Sequence, residues 1–560
     1  MNLKAQLSPF EKSGGKETAT YFEAIDWYKT LEKKSALLSI KTMGATDAGY
    51  PLHLVMISSD GKFDPLYWHK LGKVVILINN GIHPGEPDGI DASMMLARDI
   101  INKKIELPKN VALAFIPVYN IGGCLNRNSY TRANQNGPAA YGFRGNSQNL
   151  DLNRDFTKCD SKEAKSFSEI FHFINPDIQI DNHVSDGADF QHTMTLISTQ
   201  YNKLGPVLGK WLAEVFEPKI YNSMSAKGWD MIPYVNFETA DFEKGIQMFM
   251  DHPRYSSGYA ALFNTLAFMP ETHMLKPFKE RVQSTYDLMQ TFIVQASLTS
   301  GEIKKMRASA ILEWINKKQY PLKWITDSSV FREINFKGYS LKYTTSQATA
   351  LQKMYYDHQQ PFAKKIKFYH EFSPAGKIEK PKAYVIPKGW DEVIQLIKKN
   401  GVKINQFKKD TIISVNAYQI LEYKSYPKAY EKHHKNYEAK VALIKKQQQF
   451  LKGDFIIYLN QVANRYLVEM LEPTGDDSFF AWNFFDAILQ QKEGYSDYRW
   501  EDIAAEILKK DVTLREKLQA KKDNDPEFAT DSHYILDFIY KNSAYYEKAY
   551  LQYPVYRIEY

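Results

Sequence analysis

"VVILINNGIHPGEPDGIDASMMLARDI", residues 74–100, decides how the first half of the chain is read. An apolar run of strand length, Val74–Asn80, enters a tight loop at Pro84 and Gly85 and leaves it with the apolar spacing of a helix. The loop carries His83 and Glu86, three residues apart. In open α/β sheets, ligands bind beyond the carboxyl ends of the strands, which is where this loop stands.

The same texture recurs. "VALAFIPVYN" (111–120), "DIQIDNHV" (177–184), "TMTLIST" (193–199) and "TLAFMPE" (265–271) are near-continuous apolar runs of strand length. "PDGIDASMMLARDIIN", "YNKLGPVLGKWLAEVF" and "PFKERVQSTYDLMQTFIVQASL" have the length and periodicity of helices. Strands buried on both faces and separated by helices predict an α/β fold with a central mixed, largely parallel sheet flanked by helices. Near residue 300 the texture changes, so residues 1–300 are expected to form one domain and residues 301–560 a C-terminal α+β accessory region, mixed strands then helices. "GEIKKMRASAILEWINKKQ" reads as a connecting helix, and 320–430 as short strands and turns rich in Lys and Tyr. "AYVIPKGWDEVIQLIKKNGVKI" (383–404) is a strand leading to a helix ended by Gly401. The aromatic-rich stretch from Asp476 to Gln519 reads as helical.

A chain of 560 residues exceeds the size at which one core keeps growing. Its net charge of +7, from Lys+Arg 72 against Asp+Glu 65, is not gathered into the basic stripe of a nucleic-acid binder. No segment has the roughly eighteen consecutive apolar residues of a membrane span. Cys124 and Cys159 are the two cysteines, too few for a disulfide framework, and are expected as unpaired, partly buried thiols. "MNLKAQLSPFEKSGG" lacks the apolar core of a secretory signal, although "LKAQ" resembles the end of a cleavage region. A periplasmic or secreted location is therefore expected if the chain starts near a mature terminus, and a cytoplasmic one otherwise. No sequence feature points to an oligomeric state. No G-x-S-x-G elbow follows a strand, which excludes the usual serine-hydrolase arrangement.

The polar residues fall at strand ends. His83 and Glu86 follow the run at 74–80; Arg127, Arg132, Asn153 and Arg154 follow that at 111–120; His183 ends the third run and Glu271 the last. Two imidazoles and a carboxylate are the protein ligand set of a catalytic zinc that keeps a position open. Alone, H-x-x-E is a weak signal: His83 could be a loop histidine and Glu86 a carboxylate favoured at a helix N-terminus. Asn153 could be a turn residue, Arg154 a surface cation, and Glu271 the partner of Lys276 or Lys279 in a salt bridge. The third ligand and the shared rim favour the metal reading.

"NNGIHPGEPDG", "GNSQNLDLNRDF", "IDNHVSDG" and "FMPETHMLKPFKERV", in this order, resemble the successive blocks of zinc carboxypeptidases of the carboxypeptidase A type, over roughly residues 20 to 300. The resemblance implies one Zn2+ per chain held by His83, Glu86 and His183, with Glu271 as the catalytic glutamate. It further implies Asn153 and Arg154 as binders of the substrate's terminal carboxylate, Arg132 as the arginine that polarises the scissile carbonyl, and Asp151 as the aspartate that orients His83. The mobile tyrosine of the family corresponds best to Tyr255, with Tyr259 the other candidate and Arg254 an added cation.

The implied activity is that of a zinc metallocarboxypeptidase hydrolysing the C-terminal peptide bond through a metal-activated water, with Glu271 as general base. Its partner is a peptide or peptide-like substrate with a free C-terminal carboxylate, with no nucleic acid and no membrane span. Between Ser256 and Pro270 there is no charged residue, so a substrate side chain bound there is expected to be apolar or aromatic. A zinc amidase on the same scaffold, acting on cell-wall peptides or acylated amino acids, is the second reading, and a non-catalytic binding protein the third. The Gly- and Asn-rich loop between Arg132 and Asn153 and the appended C-terminal half depart from the minimal family pattern.

Overall fold

The computed structural model describes residues 6–236 and 241–560. Most of the "LKAQ" stretch lies outside them.

The first half is built on a mixed sheet of β1 (Leu38–Ala45), β2 (Pro51–Ser58), β3 (Val74–Asn79), β4 (Val111–Ile116), β5 (Ile178–Asp181), β6 (His183–Ser185), β7 (Met194–Ser198), β8 (Ile232–Pro233) and β10 (Leu266–His273). The order is β1-β2-β4-β3-β5-β10-β7-β8, with β6 also on β10. The centre is parallel at β4–β3–β5–β10, while β1, β2 and the β7–β10 pairing supply the antiparallel contacts.

The apolar runs form central strands because both of their faces are covered. Along β3, Val74, Ile76 and Ile78 enter one core while Val75 and Leu77 enter another on the opposite side of the sheet. Along β4, Val111, Leu113 and Phe115 alternate with Ala112, Ala114 and Ile116 in the same way. Each large side chain so buried contributes about 1.5–3 kcal/mol relative to an exposed one. One face is covered by the helices Asp88–Ile101 and Phe278–Leu298, and the other by the helix Lys162–Ile174.

The texture change near residue 300 falls between the helices Phe278–Leu298 and Ser300–Asn316. Beyond it lie β11 (Gln319–Thr326) paired with β14 (Phe372–Glu379), and the hairpin β12 (Arg332–Thr345) and β13 (Gln352–Tyr369), which adds the short β9 (Ile246–Gln247) of the first half. A further sheet has the order β16-β19-β15-β20-β17-β18, from Asn405–Gln406, Phe455–Tyr458, Ala383–Ile386, Gln552–Ile558, Thr411–Ser425 and Asn436–Phe450. The strand and helix expected over 383–404 form as β15 and Asp391–Lys399, and Gly401 follows with φ 69°. The short strands expected over 320–430 are instead long hairpins. Their Lys, Gln and Tyr residues face solvent along much of both sides, so no single apolar face marks the strands' length. The stretch after Asp476 is α-helical only from Asp497; before that, Phe479, Phe480, Trp482 and Phe485 are buried by a chain of turns and the short 3-10 helix Asp486–Leu489.

The two halves share one core. Phe167, Phe171, Tyr259 and Phe263 of the first half cluster with Tyr384, Ile394, Tyr466 and Phe480 of the second. Helices 497–541 hold a small core of their own around Trp500, Leu514 and Tyr540. No helix among the described residues is long and apolar enough to cross a membrane.

Candidate metal centre and substrate cleft

The loop after β3 closes as a turn in which the Glu86 N–H donates to the His83 carbonyl at 2.8 Å, so both side chains face one point. Gly85 is required there: a Cβ would lie 2.7 Å from Cδ of Arg132. His183 opens β6, which pairs in parallel with β10. Ligand atoms of His83, Glu86 and His183 lie within 4.8 Å of one another, and all three residues are buried.

The hydrogen bonds at the far side of each ring fix which nitrogen is left over. His83 Nε2 donates to Asp151 Oδ1 at 2.8 Å, and His183 Nε2 donates to Asp181 Oδ2 at 3.1 Å. Each ring therefore turns Nδ1 inward, toward Glu86 Oε1 at 3.3 Å for His83 and Oε2 at 3.1 Å for His183. His83 Nδ1 is buried and has no hydrogen-bond partner. Two imidazole lone pairs facing a carboxylate repel unless a proton or a cation lies between them. Nitrogen and oxygen donors in this number suit zinc, and carboxylates behind the histidines are its usual support.

The electrostatics agree. Burial alone would raise the Glu86 pKa, but Arg132, His83 and His183 hold it well below the usual range. Burial would lower that of His183, yet Asp181 and Glu86 keep it raised. Burial would raise Asp151, and His83, Arg144 and Arg154 outweigh it, so this carboxylate stays ionised. Glu271 moves the other way, pushed up to about 8 by burial and the Glu86 charge against the pull of His183 and two arginines. A cation at the histidine pair would draw it down again.

One cavity of about 340 Å³ gathers these groups: His83, Glu86, His183 and Glu271 share its wall with Arg132, Arg144, Asn153, Arg154 and Tyr255. Asn153 Oδ1 accepts from the Ser256 N–H at 3.3 Å, leaving its amide NH2 for a ligand. The Arg154 guanidinium stacks 4.7 Å from the centre of the Tyr255 ring. Ile197, Phe249 and Met269 supply an apolar stretch of wall, with Tyr234 and Asp186 also at the cavity. Ile197 and Met269 are register partners on β7 and β10, so adjacent strands place them together.

Several predicted residues have other work. Arg132 donates to Glu86 at 2.8 Å, to Gln135 at 2.6 Å and to the Val184 carbonyl at 3.1 Å, which ties it to the position of Glu86. Arg127 donates to the carbonyls of Thr18, Ala19 and Ala140. Arg254 pairs with buried Asp477 at 3.3 Å, and the Tyr259 hydroxyl donates to Asn400 at 2.7 Å inside the core. Lys276 pairs with Asp189 at 3.3 Å. Cys124 and Cys159 are buried and free.

Three features escaped the sequence reading. Asp181 stands two residues before His183 on extended chain, a D-x-H spacing that puts both on one face and could have been noticed. Arg144 bonds Asp151 at 2.8 Å, lies 3.5 Å from Glu86, and leaves 46% of its side chain exposed at the cavity. Nothing within the polar loop set it apart from Arg132. Glu431, from the turn between β17 and β18, accepts the Asp151 N–H at 2.9 Å, a contact across 280 residues that no local pattern announces.

Residues 24–196, which contain both histidines and Glu86, match the model of the zinc carboxypeptidase family (peptidase M14). Over this stretch the chain is similar to the zinc carboxypeptidases. Carboxypeptidase 2 of Trichophyton tonsurans is 20% identical over 427 residues, covering 73% of this chain and 73% of that protein, and Carboxypeptidase 2 of Trichophyton rubrum gives the same values. Among solved structures, a metallo-carboxypeptidase from Burkholderia cenocepacia is 14% identical with a TM-score of 0.38, over 50% of this chain and 70% of that one. One from Pseudomonas aeruginosa, in complex with (2-guanidinoethylmercapto)succinic acid, is 13% identical with a TM-score of 0.38, over 51% of this chain and 70% of the other. The zinc carboxypeptidase match ends at residue 196, ahead of Tyr255 and Glu271.

Proposed function

We propose that this chain removes the C-terminal residue of peptides by hydrolysis, with one zinc ion held by His83, Glu86 and His183. The observation that carries the reading is the common wall: the metal-ligating set, a free carboxylate at Glu271 and the Asn153–Arg154 pair line one cavity. Bound zinc supplies Lewis-acid activation of water and of the scissile carbonyl. Glu271 takes a proton from the attacking water on its carboxylate and returns it to the leaving amine. Arg154 receives the terminal carboxylate through its planar fork, helped by the Asn153 amide, and Tyr255 supports the guanidinium from one face.

Arg132 and Arg144 divide the remaining cationic work. Arg132 has donors committed to Glu86, Gln135 and Val184 and fixes the carboxylate ligand. Arg144 is the more exposed of the two at the cavity and stabilises the oxyanion as it forms. Ile197, Phe249 and Met269 favour an apolar or aromatic side chain on the released residue.

The deciding experiment combines metal content with hydrolysis of a peptide and its C-terminally amidated twin. One zinc per chain with cleavage of the free-carboxylate peptide alone is the expected result. Equal cleavage of both replaces the carboxypeptidase with an amidase, and absence of bound zinc after loading removes the metallopeptidase reading for this chain.

A further inference from the structure

The carboxylate-binding segment Asp151–Arg154 is held from the far side by the second half of the chain. The turn joining β17 to β18 reaches over it. Glu431 accepts the Asp151 N–H at 2.9 Å, and the Tyr430 side chain faces the Arg154 guanidinium. Tyr430 in turn stacks on buried Trp482, ring centres 6.1 Å apart. We propose that Tyr430 and Glu431 are positioning residues of the substrate site, which set the place of Asn153 and Arg154 and so the affinity for a terminal carboxylate. This inference rests on the carboxypeptidase reading and adds a contribution from outside the matched family region.

Three independent features show a turn held in place. It is closed by a reciprocal pair of backbone bonds between Tyr430 and His433, at 2.8 and 3.1 Å. It is anchored on both sides: His433 Nε2 lies 2.8 Å from Asp160, five residues past the Asn153–Arg154–Asp155 stretch, and the Asn436 N–H donates to the Ala481 carbonyl at 2.8 Å. Its tip is strained, because Glu431 and Lys432 adopt φ of 49° and 76°, in the left-handed region that side chains disfavour. Such a conformation persists only where its surroundings impose it, and it gathers at functional sites. Here it directs the Glu431 carboxylate at one backbone N–H, beside two residues that face the cavity.

A residue acting through position should alter substrate binding and leave the chemical step alone. The test uses the zinc-loaded full chain with the free and amidated peptide pair. Glu431→Ala should raise KM for the free-carboxylate peptide about tenfold, the effect of losing one bond to a charged acceptor, with kcat within about twofold and zinc content unchanged. Glu431→Gln keeps an amide oxygen for the same bond and should restore KM. Tyr430→Phe, which keeps the stack on Trp482, should raise KM about threefold with the same split. Wild-type KM in both Glu431→Ala and Tyr430→Phe overturns the proposal, as does equal damage in Glu431→Ala and Glu431→Gln, or a loss confined to kcat. If Glu431→Ala does not fold, Tyr430→Phe decides alone. A wild-type chain that ignores the free carboxylate would sink the function itself, whereas an active, discriminating wild type with unaffected variants sinks only this inference.

Discussion

Glu271 on β10 lies opposite His183 on β6 in a parallel ladder, so backbone register alone sets a carboxylate next to a proposed metal ligand. Neither residue depends on a long loop for its place. A carboxylate held so firmly can be neutralised with little disturbance to its surroundings. Glu271→Gln is therefore expected to fold normally and keep one zinc while kcat/KM falls about 10²- to 10⁴-fold. Activity assays beside metal analysis check it, and near-wild-type turnover would remove Glu271 from the mechanism.

Under the proposed ligand assignment, the facing Nδ1 atoms of His83 and His183 make metal binding a stability term. Zinc in large excess over its dissociation constant should raise the unfolding midpoint, by an amount equivalent to about 3–4 kcal/mol at 100 to 1,000 times that constant. His183→Ala should abolish the shift. A thermal unfolding series with and without zinc reads it directly; an unchanged response in the variant would count against the ligand assignment.

Arg154 and Arg144 should separate kinetically. Arg154→Lys keeps the charge and loses the planar fork, so the expected change is a rise in KM of about tenfold for free-carboxylate peptides with kcat little changed. Arg144→Gln should lower kcat about 10²- to 10³-fold, the scale for losing an oxyanion donor. Arg132→Gln should instead weaken zinc retention, because its target is Glu86. An exchange of these phenotypes would exchange the roles of Arg132 and Arg144.

The first-half fold was legible because burial on both sheet faces leaves continuous apolar runs, as at Val74–Asn79 and Val111–Ile116, and because short loops keep the site's blocks local. Leu38–Ala45 and Pro51–Ser58 went unread: the first is mostly solvent-facing, so its apolar pattern is diluted by Lys41, Thr42 and Gly44. His83, Glu86, His183 and Glu271 stand out among the polar residues at strand ends, and the family resemblance implies their roles. Choosing between Arg132 and Arg144 required knowing which guanidinium is the more exposed at the cavity, and Glu431 required a tertiary contact. Composition and period carry no record of either.

His273 supplies a pH test away from the metal. Its Nε2 donates to the Ala188 carbonyl at 3.0 Å while Nδ1 accepts the Leu275 N–H at 3.3 Å, a pattern that only the neutral ring completes. Burial and the Lys276 charge depress its pKa from 6.5 to about 4. The unfolded chain thus binds this proton first, so stability is whole above pH 6.5 and is lost as the pH falls toward 4. About 2 kcal/mol should disappear between pH 7 and pH 5 from this group. His273→Gln, which offers a donor and an acceptor without titrating, should flatten that part of a denaturation profile. A slope unchanged by the substitution would assign the acid sensitivity to other groups.

The strand Gln552–Ile558 lies between β15 and β17, and Arg557 within it reaches buried Glu472 and the Tyr418 hydroxyl. The turn carrying Tyr430 and Glu431 springs from the end of β17. A ribosome must therefore deliver residue 557 before the sheet behind that turn can close, long after His83 and His183 have emerged. Order of synthesis therefore leaves the brace on the Asp151 N–H to be completed last, by residues that follow the first half of the chain by more than a hundred positions.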